Sequence, residues 1–145
     1  MGKTGHSDRR RQYAALPWRI GTDGALEILL ITSRETRRWI IPKGWPMKGK
    51  KAYQAAAQEA FEEAGVQGDI ATEPLGAFRY LKTLGPKQQQ VCSVNVFALE
   101  VTRELGLWPE QHQRSRRWMP AREAARSVDE PELRALIEAF EALGG

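Results

Sequence analysis

Cysteine is almost missing from this sequence: Cys92 is the single cysteine among 145 residues. A lone cysteine excludes an internal disulfide framework and fits a reducing compartment, so we predict a cytoplasmic location. Cys92 lies in an apolar, alternating segment, and no other members of a catalytic triad stand out. We therefore interpret it as a small core side chain and not as a nucleophile.

Long apolar runs are also missing, and none approaches the ~20 residues that a membrane-spanning helix needs. The N-terminus is basic, with Arg9, Arg10 and Arg11 in succession. No apolar core follows these arginines, so we expect no secretory signal and no membrane association. No repeat or second compositional block interrupts the chain. We predict a mobile basic tail over residues 1–12 and a single domain over residues 13–145.

Sequence motifs for nucleic-acid recognition are missing as well. The sequence has neither the aromatic pattern of an RNA-recognition motif nor zinc-finger spacing. Its net charge is +4, from 22 basic and 18 acidic residues. This charge favours anionic partners without making nucleic acid the default partner.

Alternating apolar segments predict a protein built largely from strands. We predict strands over 13–19, 25–32, 38–41, 75–84, 90–102 and 116–119, with turns at 21–24 and 85–87. The 90–102 strand is apolar on both faces, which indicates a central position in the sheet. A C-terminal amphipathic helix is predicted over 131–143, with Asp129 as its N-cap. Strands and helices in this order indicate an α/β layered sandwich.

The most informative segment is residues 58–66, Gln-Glu-Ala-Phe-Glu-Glu-Ala-Gly-Val. On an α-helix, Glu59, Glu62 and Glu63 fall on one narrow face, and Gly65 is typical of the left-handed residue that ends a helix. Three like charges on one stripe repel each other. A hard divalent cation such as Mg²⁺ removes that repulsion by binding carboxylate oxygens. The alternative interpretation is a solvated acidic face.

A basic loop over residues 42–51 leads directly into this helix. It contains two glycines, two prolines and four lysines, a composition typical of an irregular loop. Cations beside metal-binding carboxylates suit an anionic substrate such as a polyphosphate. Because the apolar residues 39–41 precede the loop, the unit is predicted to be a strand, a basic loop and an acidic helix.

This unit resembles the box of the Nudix hydrolase family, G-x5-E-x7-R-E-U-x-E-E-x-G-U, in which U is an aliphatic residue. The box covers residues 44–66, with Ala60 at the first aliphatic position and matches at Gly44, Glu59, Glu62, Glu63, Gly65 and Val66. Two positions depart from it: Lys50 replaces the first glutamate, and Gln58 replaces the arginine. In the family these two side chains are described as an ion pair between loop and helix. Since a lysine facing an arginine would be repulsive, we interpret the paired change as a re-engineered brace.

The resemblance implies a Nudix α/β/α sandwich with a mixed central sheet and a Mg²⁺-dependent pyrophosphohydrolase, with Mn²⁺ as an alternative ion. Residues 38–44 and 107–118 are similar to segments of the subgroup that cleaves diphosphoinositol polyphosphates and diadenosine polyphosphates. The predicted reaction is hydrolysis of a phosphoanhydride bond in such a densely phosphorylated small molecule. Trp108 and Trp118 in the second segment are interpreted as core or loop anchors and not as base-stacking residues.

Two alternatives stay open. The first is a pyrophosphohydrolase of nucleoside diphosphate derivatives or of RNA 5′ ends, the one case in which nucleic acid would be a partner. The second is a non-catalytic Nudix-fold binding domain, in which Lys50 marks lost turnover.

The resemblance also assigns roles to residues. Glu59, Glu62 and Glu63 are the candidate catalytic residues, and with Gly44 they form the candidate metal site. The candidate substrate-binding residues are Arg38, Lys43, Lys48, Lys50 and Arg116, with Arg116 as a clamp on phosphate. An acidic ligand or base outside the box is not fixed by the sequence, and Glu104 and Glu110 are candidates by position.

Overall fold

A computed structural model describes residues 10–144 as one mixed sheet with helices on both faces. The strands are β1 (Arg11–Ile20), β2 (Leu26–Thr32), β3 (Trp39–Ile40), β4 (Lys43–Gly44), β5 (Val66–Ile70), β6 (Gly76–Gly85), β7 (Gln88–Glu104) and β8 (Arg116–Pro120). The helices are α1 (Ala52–Glu59), α2 (Ala121–Ser127) and α3 (Pro131–Ala142), and a π-helical turn over Ala60–Ala64 continues α1.

The long strand β7 organises the sheet. It pairs in parallel with β1 and antiparallel with both β5 and β6. On the far side of β1, the strand β2 pairs antiparallel with β1, β3 and β8, while the short β4 adds to β1. The β1–β2 connection turns at residues 21–24, where Gly24 has a φ of +83°. The family resemblance implied the mixed sheet, and the sequence pattern predicted the central position of β7 and this hairpin turn.

Two apolar cores lie on opposite faces of the sheet, because successive side chains of a strand point to opposite sides. In β1, Leu16 belongs to the core beneath α2 and α3, whereas Ala15 belongs to the core beneath α1. The predicted α/β/α sandwich is therefore confirmed. No helix in the described range 10–144 is long and apolar enough to cross a membrane.

The beginning of β1 corrects the predicted tail. Residues 1–9 lie outside the described range, but residues 11 and 12 belong to the first strand. Gln12 pairs in register with Val94 and is only 4% exposed. Its side-chain oxygen accepts a 2.6 Å hydrogen bond from the Tyr80 hydroxyl. This buried polar contact holds the start of the strand in the sheet.

Three elements and one cap differ from the sequence prediction, and the first is the short β4 (Lys43–Gly44), which lies where the basic loop was predicted. The strand β5 was missed because its central residues are Gln67, Gly68 and Asp69, of which the last two are depleted in strands. The helix α2 was missed because it spans only seven residues. The cap of α3 is Glu130, without a side-chain cap hydrogen bond. Asp129 was wrong as the cap, and its carboxylate instead accepts a hydrogen bond from Arg38.

Candidate metal and polyphosphate site

The end of the α1 helix presents the acidic residues. Ala56, Ala60 and Ala64 are spaced four apart and fully buried against the sheet. Gly65 ends the π-helical turn with a φ of 67°, which confirms the predicted left-handed terminus. The small alanines allow close approach to the sheet, so the acids beside them are held at the edge of a cavity.

Glu59 and Glu63 come together beside β4. Their carboxyl groups are in hydrogen-bonding contact. Glu63 is 7% exposed and accepts a 3.3 Å hydrogen bond from the backbone N–H of Lys43. A Cβ atom on Gly44 would overlap the Glu59 carboxylate. A side chain at residue 44 would therefore displace the Glu59 carboxylate from its position in the pair, which glycine avoids.

Glu62 is directed elsewhere. Its Oε2 accepts a 2.7 Å hydrogen bond from Gln58 Nε2. Within residues 10–144, no group of three or more His, Cys, Asp or Glu side chains is arranged to hold a metal ion. The prediction of a single narrow face assumed regular α-helical spacing, whereas the π-helical turn changes the angle between successive side chains. The structure thus brings two of the three glutamates into one pair.

The proposed brace between Lys50 and Gln58 takes a different form. Gln58 bonds to Glu62, four residues farther along the helix, and Lys50 is exposed in the loop. The amide therefore supports the helix internally and does not tie the loop to it.

A cavity of about 270 Å³ opens beside the acidic pair. It combines two carboxylates with two lysines and two arginines that come from separate parts of the chain. Its lining consists of Gln12, Arg34, Ile40, Lys43, Gly44, Trp45, Glu59, Glu63, Tyr80, Lys82 and Arg114. A cavity lined by two carboxylates and four cations can hold a metal ion and a phosphate chain at once.

Sequence reasoning missed three cations of the cavity lining, Arg34, Lys82 and Arg114, and of these Arg114 lies beside the Glu63 carboxylate. Its side chain is 7% exposed, and its guanidinium lies 2.8 Å from Glu110 and 3.8 Å from Glu63. It also donates to the carbonyl of Thr32 at 3.1 Å. Glu110 and Arg114 are four residues apart, but they lie in a turn and not in a helix, so the helical spacing rule gave no signal for this pair. Of the two candidate acids outside the box, Glu110 lies beside the site through its contact with Arg114, although the lining does not include it.

Arg116, predicted to clamp phosphate, does not reach the cavity. Its guanidinium donates to the backbone carbonyls of Ala64, Gly65 and Leu105 at 2.7–3.2 Å. It also stacks over the ring of Trp108, whose N–H donates to the carbonyl of Glu63 at 3.2 Å. These contacts use the N–H donors of Arg116 to hold the backbone. The hydrogen bond from Trp108 to Glu63 makes Trp108 an anchor, as predicted.

The other predicted residues are divided between the site and the surface. Lys43 lines the cavity, with its ammonium 5.0 Å from the ring of Tyr80. Lys48 and Lys50 are exposed in the loop and are not among the lining residues. Arg38 lies beside an adjoining cavity and pairs with Asp129 and Glu130. Glu104 pairs instead with Arg19 on an exposed surface.

Electrostatics in the cavity favour an added cation. Burial and the neighbouring carboxylates Glu63, Glu62 and Glu110 raise the pKa of Glu59 to about 9. Burial also raises the pKa of Glu63 and lowers the pKa of Lys43. The acidic pair therefore shares a proton near neutral pH, and a divalent cation can take the place of that proton. Two carboxylates with open positions for phosphate are a donor set that suits Mg²⁺.

The raised pKa of Glu59 predicts that metal-free protein loses stability as pH rises. Its folded-state pKa of about 9 lies above the ordinary 4.5. Its contribution is therefore complete below pH 4.5 and is lost as pH rises toward 9. With a chelator present, we expect Tm to fall by about 4 °C more between pH 5 and pH 9 than in the Glu59→Gln variant. Calorimetry of both proteins between pH 5 and pH 9 measures Tm. Plots of Tm against pH that run parallel for the two proteins would contradict the prediction.

Comparison with known proteins identifies the family. A model of the NUDIX domain matches residues 10–140. The chain belongs to the Nudix family. Nudix hydrolase 13, mitochondrial, of Arabidopsis thaliana is 32% identical over 123 residues, which cover 81% of this chain and 61% of that protein. Diphosphoinositol polyphosphate phosphohydrolase 3-beta of Bos taurus is 33% identical over 101 residues, which cover 68% of this chain and 57% of that protein.

A solved structure supports the same fold. The Ap4A hydrolase of C. elegans superposes with a TM-score of 0.66 at 20% sequence identity, covering 93% of this Nudix chain and 98% of that chain. The resemblance expected from the box is thus confirmed for the family and for the fold. The chain spans about 60% of the length of each of these two curated relatives: 61% of the Arabidopsis protein and 57% of the bovine protein.

Proposed function

We propose that this Nudix domain hydrolyses a phosphoanhydride bond in a densely phosphorylated small molecule and uses a divalent cation, Mg²⁺ or Mn²⁺. One observation carries the proposal: Glu59 and Glu63 share a cavity with Lys43, Lys82 and two arginines. A purely structural acidic face would be solvated, whereas here Glu63 is buried beside cations. This arrangement supports an enzyme more than a solvated surface.

We assign different roles to the side chains that line the cavity. Glu59 and Glu63 would hold the cation, and Glu62 and Gly44 stay proposed ligands on the family resemblance. When bound, the cation offsets phosphate charge and lowers the pKa of an attacking water. Lys43 and Arg114 face the same space and neutralise the phosphate chain as it enters. An anion beside Lys43 would also favour its charged form against the effect of burial.

A second cavity supports a substrate with several phosphates. It measures about 720 Å³ and shares Arg34, Tyr80, Lys82 and Arg114 with the first cavity. It adds one cation, one acid, one apolar residue and three hydroxyl residues: Arg38, Glu35, Leu81, Ser33, Thr36 and Thr83. Cations along both cavities suit phosphates beyond the bond that is cleaved.

The names of two similar proteins agree with this class. The bovine relative is a diphosphoinositol polyphosphate phosphohydrolase, and the worm protein is an Ap4A hydrolase. We propose one of these two substrate types for this chain. The cytoplasm stays the predicted location on the evidence of Cys92, although the Arabidopsis relative carries a mitochondrial name.

Substrate preference can be measured together with a change at Lys82. Lys82 lines both cavities, and its ammonium lies 5.8 Å from the ring of Trp45. With Mg²⁺, we expect turnover of an inositol pyrophosphate or of diadenosine polyphosphates. We expect Lys82→Gln to raise KM for these compounds by about tenfold, because one charged contact to phosphate is lost. The effect on a nucleotide sugar should be about twofold or less.

Lys87→Gln is the matched control, since Lys87 lies in the exposed β6–β7 turn and outside both linings. If Lys82→Gln raised KM equally for all substrates, the result would count against a subsite for extra phosphates. Preferred cleavage of nucleoside diphosphate derivatives or RNA 5′ ends would replace the proposed substrate class. Tight binding without turnover, with either Mg²⁺ or Mn²⁺, would make the domain a binder.

A further inference from the structure

The terminal carbonyls of the acidic helix accept hydrogen bonds from a separate segment of the chain. The last carbonyls of a helix have no partner within the helix and commonly turn to solvent. Here the carbonyl of Glu62 accepts a 3.0 Å hydrogen bond from the backbone N–H of Glu110. The carbonyl of Glu63 accepts from the indole N–H of Trp108 at 3.2 Å. Both donors belong to residues 105–116, which we name the clamp segment.

The same segment bonds the next two carbonyls. Arg116 donates from one guanidinium nitrogen, Nη1, to the carbonyl of Ala64 at 2.9 Å and to the carbonyl of Gly65 at 3.2 Å. The backbone N–H of Leu105 also donates to Gly65, at 2.8 Å. Four successive carbonyls, at residues 62–65, thus receive donors from the clamp segment.

Packing fixes the clamp segment against the helix end. The Arg116 guanidinium lies 3.9 Å from the centroid of the Trp108 ring. A Cβ atom on Gly65 would meet both side chains at 2.5–2.7 Å. Gly65 is therefore needed for its left-handed φ and also for the space that the tryptophan and arginine fill.

We propose that Trp108 and Arg116 are positioning residues for the acidic pair, an inference that rests on the proposed function for its metal. Trp108 holds the backbone of Glu63 itself, whose carboxylate is in contact with Glu59. Arg116 holds the two residues that follow. Because these donors come from a separate segment, the direction of the Glu63 carboxylate depends on that segment. Removing a partner bonded directly to a ligating group commonly changes metal affinity by about 10–100-fold, and a partner that holds the ligand's backbone should act at the lower end of that range.

Trp108→Phe tests the proposal, with Trp118→Phe as the matched control. Trp118 also has an arginine over its ring, but that arginine is Arg19, and its N–H donates to the carboxylate of the exposed Glu104. We expect Trp108→Phe to weaken Mn²⁺ binding about tenfold by titration of folded protein. The amide hydrogens of Ala64 and Gly65 should exchange about tenfold faster. Trp118→Phe should change neither quantity.

A second variant covers the case in which Trp108→Phe fails to fold. Arg116→Lys keeps the charge but cannot present the same fork of donors, and Arg117→Lys is its exposed control. Unchanged Mn²⁺ affinity in a folded clamp variant would overturn the inference, even if Tm falls. If the unaltered protein binds no Mn²⁺, the proposed function fails. In that case the amide exchange rates of Ala64 and Gly65 test the clamp segment by themselves. If Trp108→Phe and Arg116→Lys leave these rates unchanged, the clamp segment does not hold the end of the helix and the inference fails as well.

Discussion

Replacing Glu63 with glutamine is expected to reduce the proposed Mg²⁺-dependent hydrolysis by at least about 100-fold while the protein stays folded. Loss of a direct metal ligand should exceed the 10–100-fold cost of losing an outer partner. The change removes a charge and keeps the shape of the side chain. The oxygen that accepts the Lys43 N–H can be retained by the amide. Burial raises the pKa of Glu63, so removing its charge should not lower stability at neutral pH.

The test compares Mg²⁺-dependent phosphate release by both proteins after circular dichroism has confirmed the fold. Glu104→Gln is the control, because Glu104 pairs with Arg19 and Trp118 on an exposed surface. The control should retain activity within about twofold, as expected of a surface change. A Glu63→Gln enzyme with near-normal rate would remove Glu63 from the proposed metal site.

Replacing Arg114 with methionine is expected to lower the free energy of unfolding by about 3 kcal/mol. Arg114 is buried and pairs with Glu110 at 2.8 Å, and it lies 3.8 Å from Glu63. Removing the arginine leaves these carboxylates without their cation and takes a donor from the carbonyl of Thr32. Methionine fills similar space, so the loss reports on charge and hydrogen bonding and not on a cavity. Tm should fall by about 9 °C.

Urea unfolding in the presence of a chelator measures this loss. Arg117→Met is the control, because Arg117 is 62% exposed and lies 3.9 Å from an exposed glutamate. That variant should differ by about 0.5 kcal/mol or less. Adding Glu110→Gln to Arg114→Met should restore part of the stability, because one unpaired carboxylate is removed. If Arg114→Met lowers the free energy of unfolding no more than Arg117→Met does, the buried pairing of Arg114 does not contribute to stability.

The sequence by itself determined the features that depend on local chemistry. The left-handed terminus at Gly65 follows from the absence of a Cβ atom, and the turn at 21–24 follows from the same freedom. The order of strand, basic loop and acidic helix was readable because composition changes sharply at each boundary. The layered sandwich followed from the order of strands and helices, and the apolar residues on both faces of β7 predicted its central position.

Local patterns were less informative where the helix departs from regular geometry. An α-helical projection places Glu59, Glu62 and Glu63 together, and the π-helical turn separates Glu62 from the pair. Nothing in the residue types at 60–64 announces that turn. It is accompanied by hydrogen bonds from Trp108 and Arg116, which lie about 45–52 residues away in sequence.

Only the tertiary structure decided which cations share the cavity. Arg114 and Arg116 are two residues apart and chemically identical, yet one faces the acids and the other braces the backbone. Lys82 comes from β6 and reaches the same cavity as Lys43. The direction of each side chain depends on how the sheet brings distant segments together. That information lies in long-range packing, which no single stretch of the sequence contains.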